Sequence, residues 1–187
     1  MVTTFTTRCM LVGLAIVCLS IIAQAQSYPK TLVARAEVSG DAGGLTGTLT
    51  IRIERLMPDF DFKAVTDGLK FGGYPGALSA LRKLPEIGYV QIGDRKTSLK
   101  YAHERPDRKP RLVLVTDRPI FFVGGGAPDA KPKAGYELGI IELDVDAQGN
   151  GQGTMAAAAR VKPGPDGGVI LDDYATAPVR LTIKPGK

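Results

Sequence analysis

The run Asp144-Val145-Asp146-Ala147-Gln148-Gly149-Asn150-Gly151 carries carboxylates at alternate positions and a glycine at the sixth, the opening of a calcium loop. An EF-hand closes its coordination sphere with a bidentate glutamate at the twelfth position, where this chain has Met155, and Gln148 stands at the fifth. The flanking residues read as strands rather than helices. Gly149-Asn150-Gly151 is instead what a tight hairpin demands, so the expectation is a turn and no metal site. Glu142, Asp144 and Asp146 then share one strand face opposite Ile141, Leu143 and Val145, an acidic stripe expected to face solvent and to help block edge pairing.

Other side chains able to do chemistry are few. His103 is the only histidine, which excludes a metal site built on several imidazoles. With Glu104 or Asp107 to orient it, His103 could activate a serine, but Ser79 and Ser98 lie in no nucleophile elbow, and a loop histidine is the plainer reading. Gly124-Gly125-Gly126 lacks the lysine and hydroxyl residue of a phosphate loop and the spacing of a dinucleotide loop, so no cofactor is implied. Two arrangements remain. Asp117, Glu142 and Asp173 would serve a hydrolase if two of them met in a cleft. Asp117, Arg118, Phe121 and Phe122 cluster in sequence where Pro119 interrupts an apolar run. Arg118 there either ties down a corner of the sheet or faces an anionic ligand beside the two phenylalanines.

The compartment is read from the other end of the chain. One charge, Arg8, precedes an apolar run from Cys9 to Ile22, and Ala23-Gln24-Ala25 follows with small residues where a signal peptidase reads. The expectation is a signal peptide over 1–25, removed after Ala25, with one domain over 26–187 in the periplasm or secreted and no membrane span after cleavage. Cys9 and Cys18 both fall inside the leader, so disulfide, thiolate and zinc-thiolate chemistry drop out of the mature chain. The formal net charge of +5 does not imply nucleic acid, because cations and carboxylates are interleaved. The densest cationic stretch, Arg105-Pro106-Asp107-Arg108-Lys109-Pro110-Arg111, holds an acid and two prolines and reads as a solvated hairpin loop.

The elements that must position these residues are mostly strands. Period-two alternation marks 32–38 and 45–53, an expected hairpin joined by the glycine-rich stretch at 40–44. Phe62, Val65 and Leu69 then recur at helical spacing until Gly72-Gly73. Pro75 with Ala77, Leu78, Leu81 and Leu84 makes a second short stripe that Pro85 ends. Strands are expected over 88–92, 98–102, 112–116, 120–123, 138–145, 154–161, 169–171 and 178–183. Leu112-Val113-Leu114-Val115 is apolar on both faces, as for a strand covered on both sides, and the small side chains of 156–159 let a neighbour pack closely. The fold class expected is mainly β (α+β): an antiparallel sandwich or partly open barrel with two short inserted helices.

Several stretches also carry a likeness. Ala80-Leu81-Arg82-Lys83-Leu84-Pro85 with Gly88-Tyr89, Leu99-Lys100-Tyr101-Ala102, and Arg111 through Thr116-Asp117-Arg118-Pro119-Ile120 belong to it. So do Ile51-Arg52-Ile53, Ile141-Glu142-Leu143, Gly151-Gln152-Gly153-Thr154-Met155, Asp173-Tyr174 and Pro178-Val179-Arg180-Leu181-Thr182. On these residues the chain resembles a family of small exported bacterial proteins with no established function. Where that family continues into an aromatic and acidic run, this chain has Phe121-Phe122-Val123-Gly124-Gly125-Gly126. The resemblance implies export and a single domain, and no reaction. The function expected is a non-catalytic binding or interaction domain for a small molecule or protein, with the carboxylate hydrolase as the alternative.

Overall fold

The computed structural model describes residues 28–38, 45–105, 111–121, 133–175 and 177–186. The leader, the turn at 40–44, the tip of the basic loop at 106–110 with Asp107, Phe122 and the 124–126 glycines lie outside the described residues.

Among the described residues, nine strands form one antiparallel sheet. They are β1 (Lys30–Val38), β2 (Leu45–Ile53), β3 (Gly88–Ile92), β4 (Arg95–Arg105), β5 (Arg111–Thr116), β6 (Leu138–Val145), β7 (Gly151–Pro163), β8 (Val169–Tyr174) and β9 (Val179–Pro185). Neighbours run β6-β5-β4-β3-β2-β1-β9-β7-β8, and β6 pairs with β7 as well. That last pairing closes eight strands into a barrel, with β8 outside the ring. The fold is therefore mainly β and antiparallel, as the alternation predicts, but it is a closed barrel rather than a sandwich or an open one. Closure also corrects the role expected of the acidic stripe: β6 bonds to β5 through Arg111↔Asp144 to Thr116↔Gly139 and to β7 on its other side, so it has no edge to protect.

The interior follows from period two. Leu32, Ala34 and Ala36 of β1, Leu49, Ile51 and Ile53 of β2, and the β5, β6 and β9 residues Leu112, Leu114, Ile141, Leu143, Leu181 and Ile183 meet in one buried apolar cluster. The remaining apolar residues of β5, Val113 and Val115, point outward into a second cluster with the helix, which is why that strand reads as apolar on both faces. In β4 a register shift between Leu99 and Tyr101 lets Leu99 face inward and Tyr101 outward, although two residues apart they would otherwise share a face.

Strand β7 runs longer than the barrel wall needs. Its first part pairs with β9 (Gly151↔Ile183 to Met155↔Val179) and its last part with β8 (Ala159↔Tyr174 to Pro163↔Val169). Strands β8 and β9 therefore occupy the same side of β7 in succession, broken between Tyr174 and Val179, and the β7–β8 hairpin continues past the barrel. Ile120 and Phe121, expected in a strand, lie outside one: β5 ends at Thr116, and the Ile120 N–H donates to the Ala157 carbonyl at 2.8 Å, where β7 leaves the ring.

One helical element, α1 (Asp59–Lys83), stands where two short helices are expected. The expected interruption is still present, because Gly73 has φ 60° and ψ −157°. The chain reverses there: a Cβ on Gly76 would lie 2.2 Å from the Gly68 carbonyl oxygen, a contact that residues eight apart on a straight helix cannot make. The two arms lie backbone to backbone on the outside of the barrel. Val65, Leu69, Ala77, Leu78 and Leu81 pack against Val113, Val115, Ile140 and the small Ala156 and Ala159 of β7. Lys100 fastens the end of the second arm by donating to the Leu84 carbonyl at 2.9 Å. Among the described residues, no helix is long and apolar enough to cross a membrane.

Candidate functional site

The residues expected to carry chemistry from their sequence neighbourhood are placed as follows. Thr116, the last residue of β5, is fully buried; its Oγ1 accepts from the Gly139 N–H at 2.9 Å and donates to the Arg118 carbonyl at 2.6 Å. The corner at Pro119 is thus held by the main chain of Arg118, while the Arg118 side chain is 68% exposed. Asp117 is turned inward, and its Oδ1 is buried without a hydrogen bond, with Arg118 Nε 3.5 Å away. Phe121 is half-buried. These residues lie at one rim of the barrel, where β5 ends.

The three carboxylates of the hydrolase reading sit in separate neighbourhoods. Glu142 faces outward opposite Val113, and its nearby cation is Arg111, whose Nη1 is 3.7 Å away and whose Nε and Nη2 fork onto Asp144 at 2.9 and 3.3 Å. Asp173 lies opposite Arg160 on the β7–β8 hairpin, where its carboxylate accepts from the Tyr136 hydroxyl and the Tyr174 N–H; the Tyr136 bond first of all holds its pKa below the usual range. Asp117 is at the end of β5. His103 is stacked on Phe62 of α1, ring centroids 4.3 Å apart, and burial pushes its pKa down against the pull of Asp166 and Asp59. Glu104, one candidate to orient it, accepts instead from the Tyr28 hydroxyl at 3.0 Å. In the Asp144–Gly151 run, Asp146 Oδ1 accepts from the Asn150 N–H at 2.8 Å, the Gly149 N–H bonds the Asp146 carbonyl at 3.0 Å, and Gly149 has φ 84°, which is the hairpin turn expected. Among the described residues, no three histidine, cysteine or acidic side chains are grouped to hold a metal ion.

A different place gathers more chemistry. Where α1 reverses, Tyr74, Pro75 and Leu78 form one wall of a cleft of about 550 Å³, and Gly135, Glu137 and Arg160 form the other. The cleft exists because three parts of the chain meet there: the turn of the helix, the segment leading into β6, and the length of β7 that has left the barrel. Tyr74 clamps the two walls together. Its hydroxyl donates to Glu137 Oε2 at 2.6 Å and accepts from the Glu137 N–H at 2.7 Å, while the Gly135 N–H donates to the same Oε2 at 3.0 Å. Burial alone would raise the Glu137 pKa, but these donors together with the charge of Arg82 hold it below the ordinary carboxylate range. The Tyr74 hydroxyl is pushed up, by burial first and by its carboxylate partner second.

The cations at this cleft are arranged differently. Tyr136 is 8% exposed, and its ring is bracketed by Lys133, with Nζ 4.8 Å from the centroid, and Arg160, with Cζ at 5.2 Å. Both neighbouring carboxylates take their hydrogen bonds from hydroxyl and N–H donors, and the charges of Arg160 and Lys133 reach Asp173 without one. Among the described residues, neither Lys133 nor Arg160 has a hydrogen bond or an ion pair. Gly135 makes room for this: a Cβ there would lie 2.7 Å from an Arg160 terminal nitrogen, and its φ of 87° disfavours any other residue.

What the arrangement offers is an apolar wall and a guanidinium fork that makes no hydrogen bond among the described residues. None of Tyr74, Glu137 or Arg160 stands out in the sequence, because each is an ordinary polar residue beside an ordinary element and Tyr74 is 63 residues from Glu137. The one local signal is Gly72-Gly73 ahead of Tyr74-Pro75, which marks a break in the helix but not what the break would face. Compared with protein-family models, curated proteins and solved structures, the chain finds no match.

Proposed function

We propose that the chain is a non-catalytic binding domain, exported as its leader-like N-terminus implies, and that it binds a small molecule in the cleft at the reversal of α1. The observation that carries this reading is the cleft itself. Its volume of about 550 Å³ falls within the roughly 300–1,000 Å³ of small-molecule pockets, and it combines an apolar wall with few polar groups. The resemblance to small exported proteins agrees with export and adds no reaction. The hydrolase reading has no comparable support, since Asp117, Glu142 and Asp173 lie on different elements, each with its own surroundings.

Binding of anilinonaphthalene sulfonate, an apolar probe with an anionic group, tests the proposal through its fluorescence. The mature chain should show one saturable site, and Ala134→Trp, which fills the cleft from its exposed rim, should abolish it without lowering the melting temperature. Absence of a saturable site, or equal binding by the Ala134→Trp variant, would refute the cleft as the binding place.

A further inference from the structure

We infer that the ligand is a monomeric apolar molecule ending in a carboxylate, a medium-chain fatty acid being the simplest member of the class, with its head group on Arg160 and its body along Tyr74, Pro75 and Leu78. The inference rests on the cleft being the binding place. It begins from the contrast between charges at the rim. Glu137 and Asp173 each accept from a tyrosine hydroxyl and from main-chain N–H groups, so their hydrogen-bonding needs are met inside the protein. Arg160 lies over Tyr136 and against Gly135, and its charge reaches Asp173, but among the described residues its planar fork makes no hydrogen bond.

The chemistry of that partner follows from what surrounds the fork. Guanidinium donors match the two oxygens of a carboxylate in one plane, and the contact of Arg160 with the Tyr136 ring leaves those donors unused. Glu137 shares the lining and Asp173 lies opposite Arg160 in the β7–β8 pairing. With Lys133 as the second cation, the two positive charges on Tyr136 are nearly balanced by these two carboxylates. A doubly charged phosphate would meet about twice the repulsion from those carboxylates that a singly charged carboxylate meets, and the planar fork already matches the two oxygens of the carboxylate. The rest of the wall offers a tyrosine ring, a proline and a leucine, which bury an apolar body and make no demand on its polar groups. The same carboxylates argue against the surface of an anionic bilayer as the source of the head group.

Isothermal titration with three compounds of one chain length tests the inference: decanoate, decanol and decyltrimethylammonium, each below its micelle concentration. Decanoate should bind most tightly. Arg160→Gln should weaken it by roughly tenfold to a hundredfold, the range for a charged hydrogen-bonded partner, while leaving decanol unchanged. Arg160→Lys should fall between, keeping the charge and losing the fork. The melting temperature of Arg160→Gln should fall by no more than about 2–4 °C, the loss of one exposed cation–π contact, since among the described residues the side chain makes no hydrogen bond. If decanoate and decanol bind alike and Arg160→Gln alters neither, the head-group assignment is wrong while the cleft stands. If none of the three binds, both fall. Tighter binding to vesicles of anionic phospholipid than to monomeric decanoate, lost in Arg160→Gln, would overturn the monomeric ligand in favour of a membrane surface.

Discussion

The inside of the barrel and the helical arm on its outer wall are held by opposite kinds of contact. Inside, side chains from the closed ring of strands share one apolar cluster, and the only fully buried polar side chain among the described residues is Thr116 at the rim. Outside, the arm folds back on itself through two glycines in backbone contact, and it is fastened by polar groups: Tyr74 to Glu137, and Lys100 to Leu84. Apolar contact is non-directional, so the interior tolerates any arrangement that fills its volume. Hydrogen bonds and glycine contacts require particular atoms at particular distances. The cleft belongs to the second kind of construction, where position is specified closely enough to hold the Arg160 guanidinium over one ring and still exposed.

Variants can break this contrast. The largest loss is expected inside: Leu114→Ala removes a fully buried side chain from a strand paired on both edges and should cost about 2–5 kcal/mol, seen as a lower midpoint in one denaturant transition. Two separate transitions would show instead that barrel and arm unfold independently. Next comes Gly76→Ala, whose methyl would lie 2.2 Å from the Gly68 oxygen. The arms must part, at about 1–3 kcal/mol, and amide exchange should rise along α1 while the strands stay protected. Exchange rising equally in β1 and β2 would mean that the arm supports the whole barrel.

Thr116→Val keeps the shape of the side chain but leaves the Gly139 N–H without its acceptor, at about 1–3 kcal/mol by thermal denaturation. Arg118→Ala, two residues on, should change stability by less than about 0.5 kcal/mol, because only the main chain of Arg118 holds the corner. Equal losses for the two would return the corner to the arginine side chain.

Between these in size lies Tyr74→Phe, expected to cost about 1–2 kcal/mol near neutral pH. It also has a pH signature. The folded Glu137 pKa is depressed, so the carboxylate contributes stability that is present above its unfolded value of about 4.3 and is lost as pH falls through the lower folded value. The difference in stability between wild type and Tyr74→Phe should therefore shrink on acidification below about pH 4.3. A difference that stays constant down to pH 3 would assign the Tyr74 contribution to packing alone.

Much of the barrel is legible in the chain because each strand carries its own record. Leu49, Ile51 and Ile53 alternate with polar residues, Leu112 through Val115 shows two covered faces, and Gly149-Asn150-Gly151 names its turn. Neither Pro119 nor the end of β5 needs the fold to explain it. The cleft is not legible in this way, since Arg160 reads as one more outward residue of a strand and Tyr136 as one more aromatic in a connection. Arg118 and its neighbours are adjacent in sequence, whereas Arg160 joins Lys133 and Tyr136 only through the fold.

The sequence by itself determined that this chain makes amphipathic antiparallel strands, that its helix breaks before Tyr74, and where its turns fall, because periodicity, glycine and proline act over a few residues. Only the tertiary structure decided that the sheet closes through β6 and β7, since nothing local distinguishes a strand with one partner from a strand with two. It alone decided that β7 overruns the ring, and so set Arg160 against the helix turn. A pairing partner and a cleft are relations between distant segments, fixed by how all the strands share one interior.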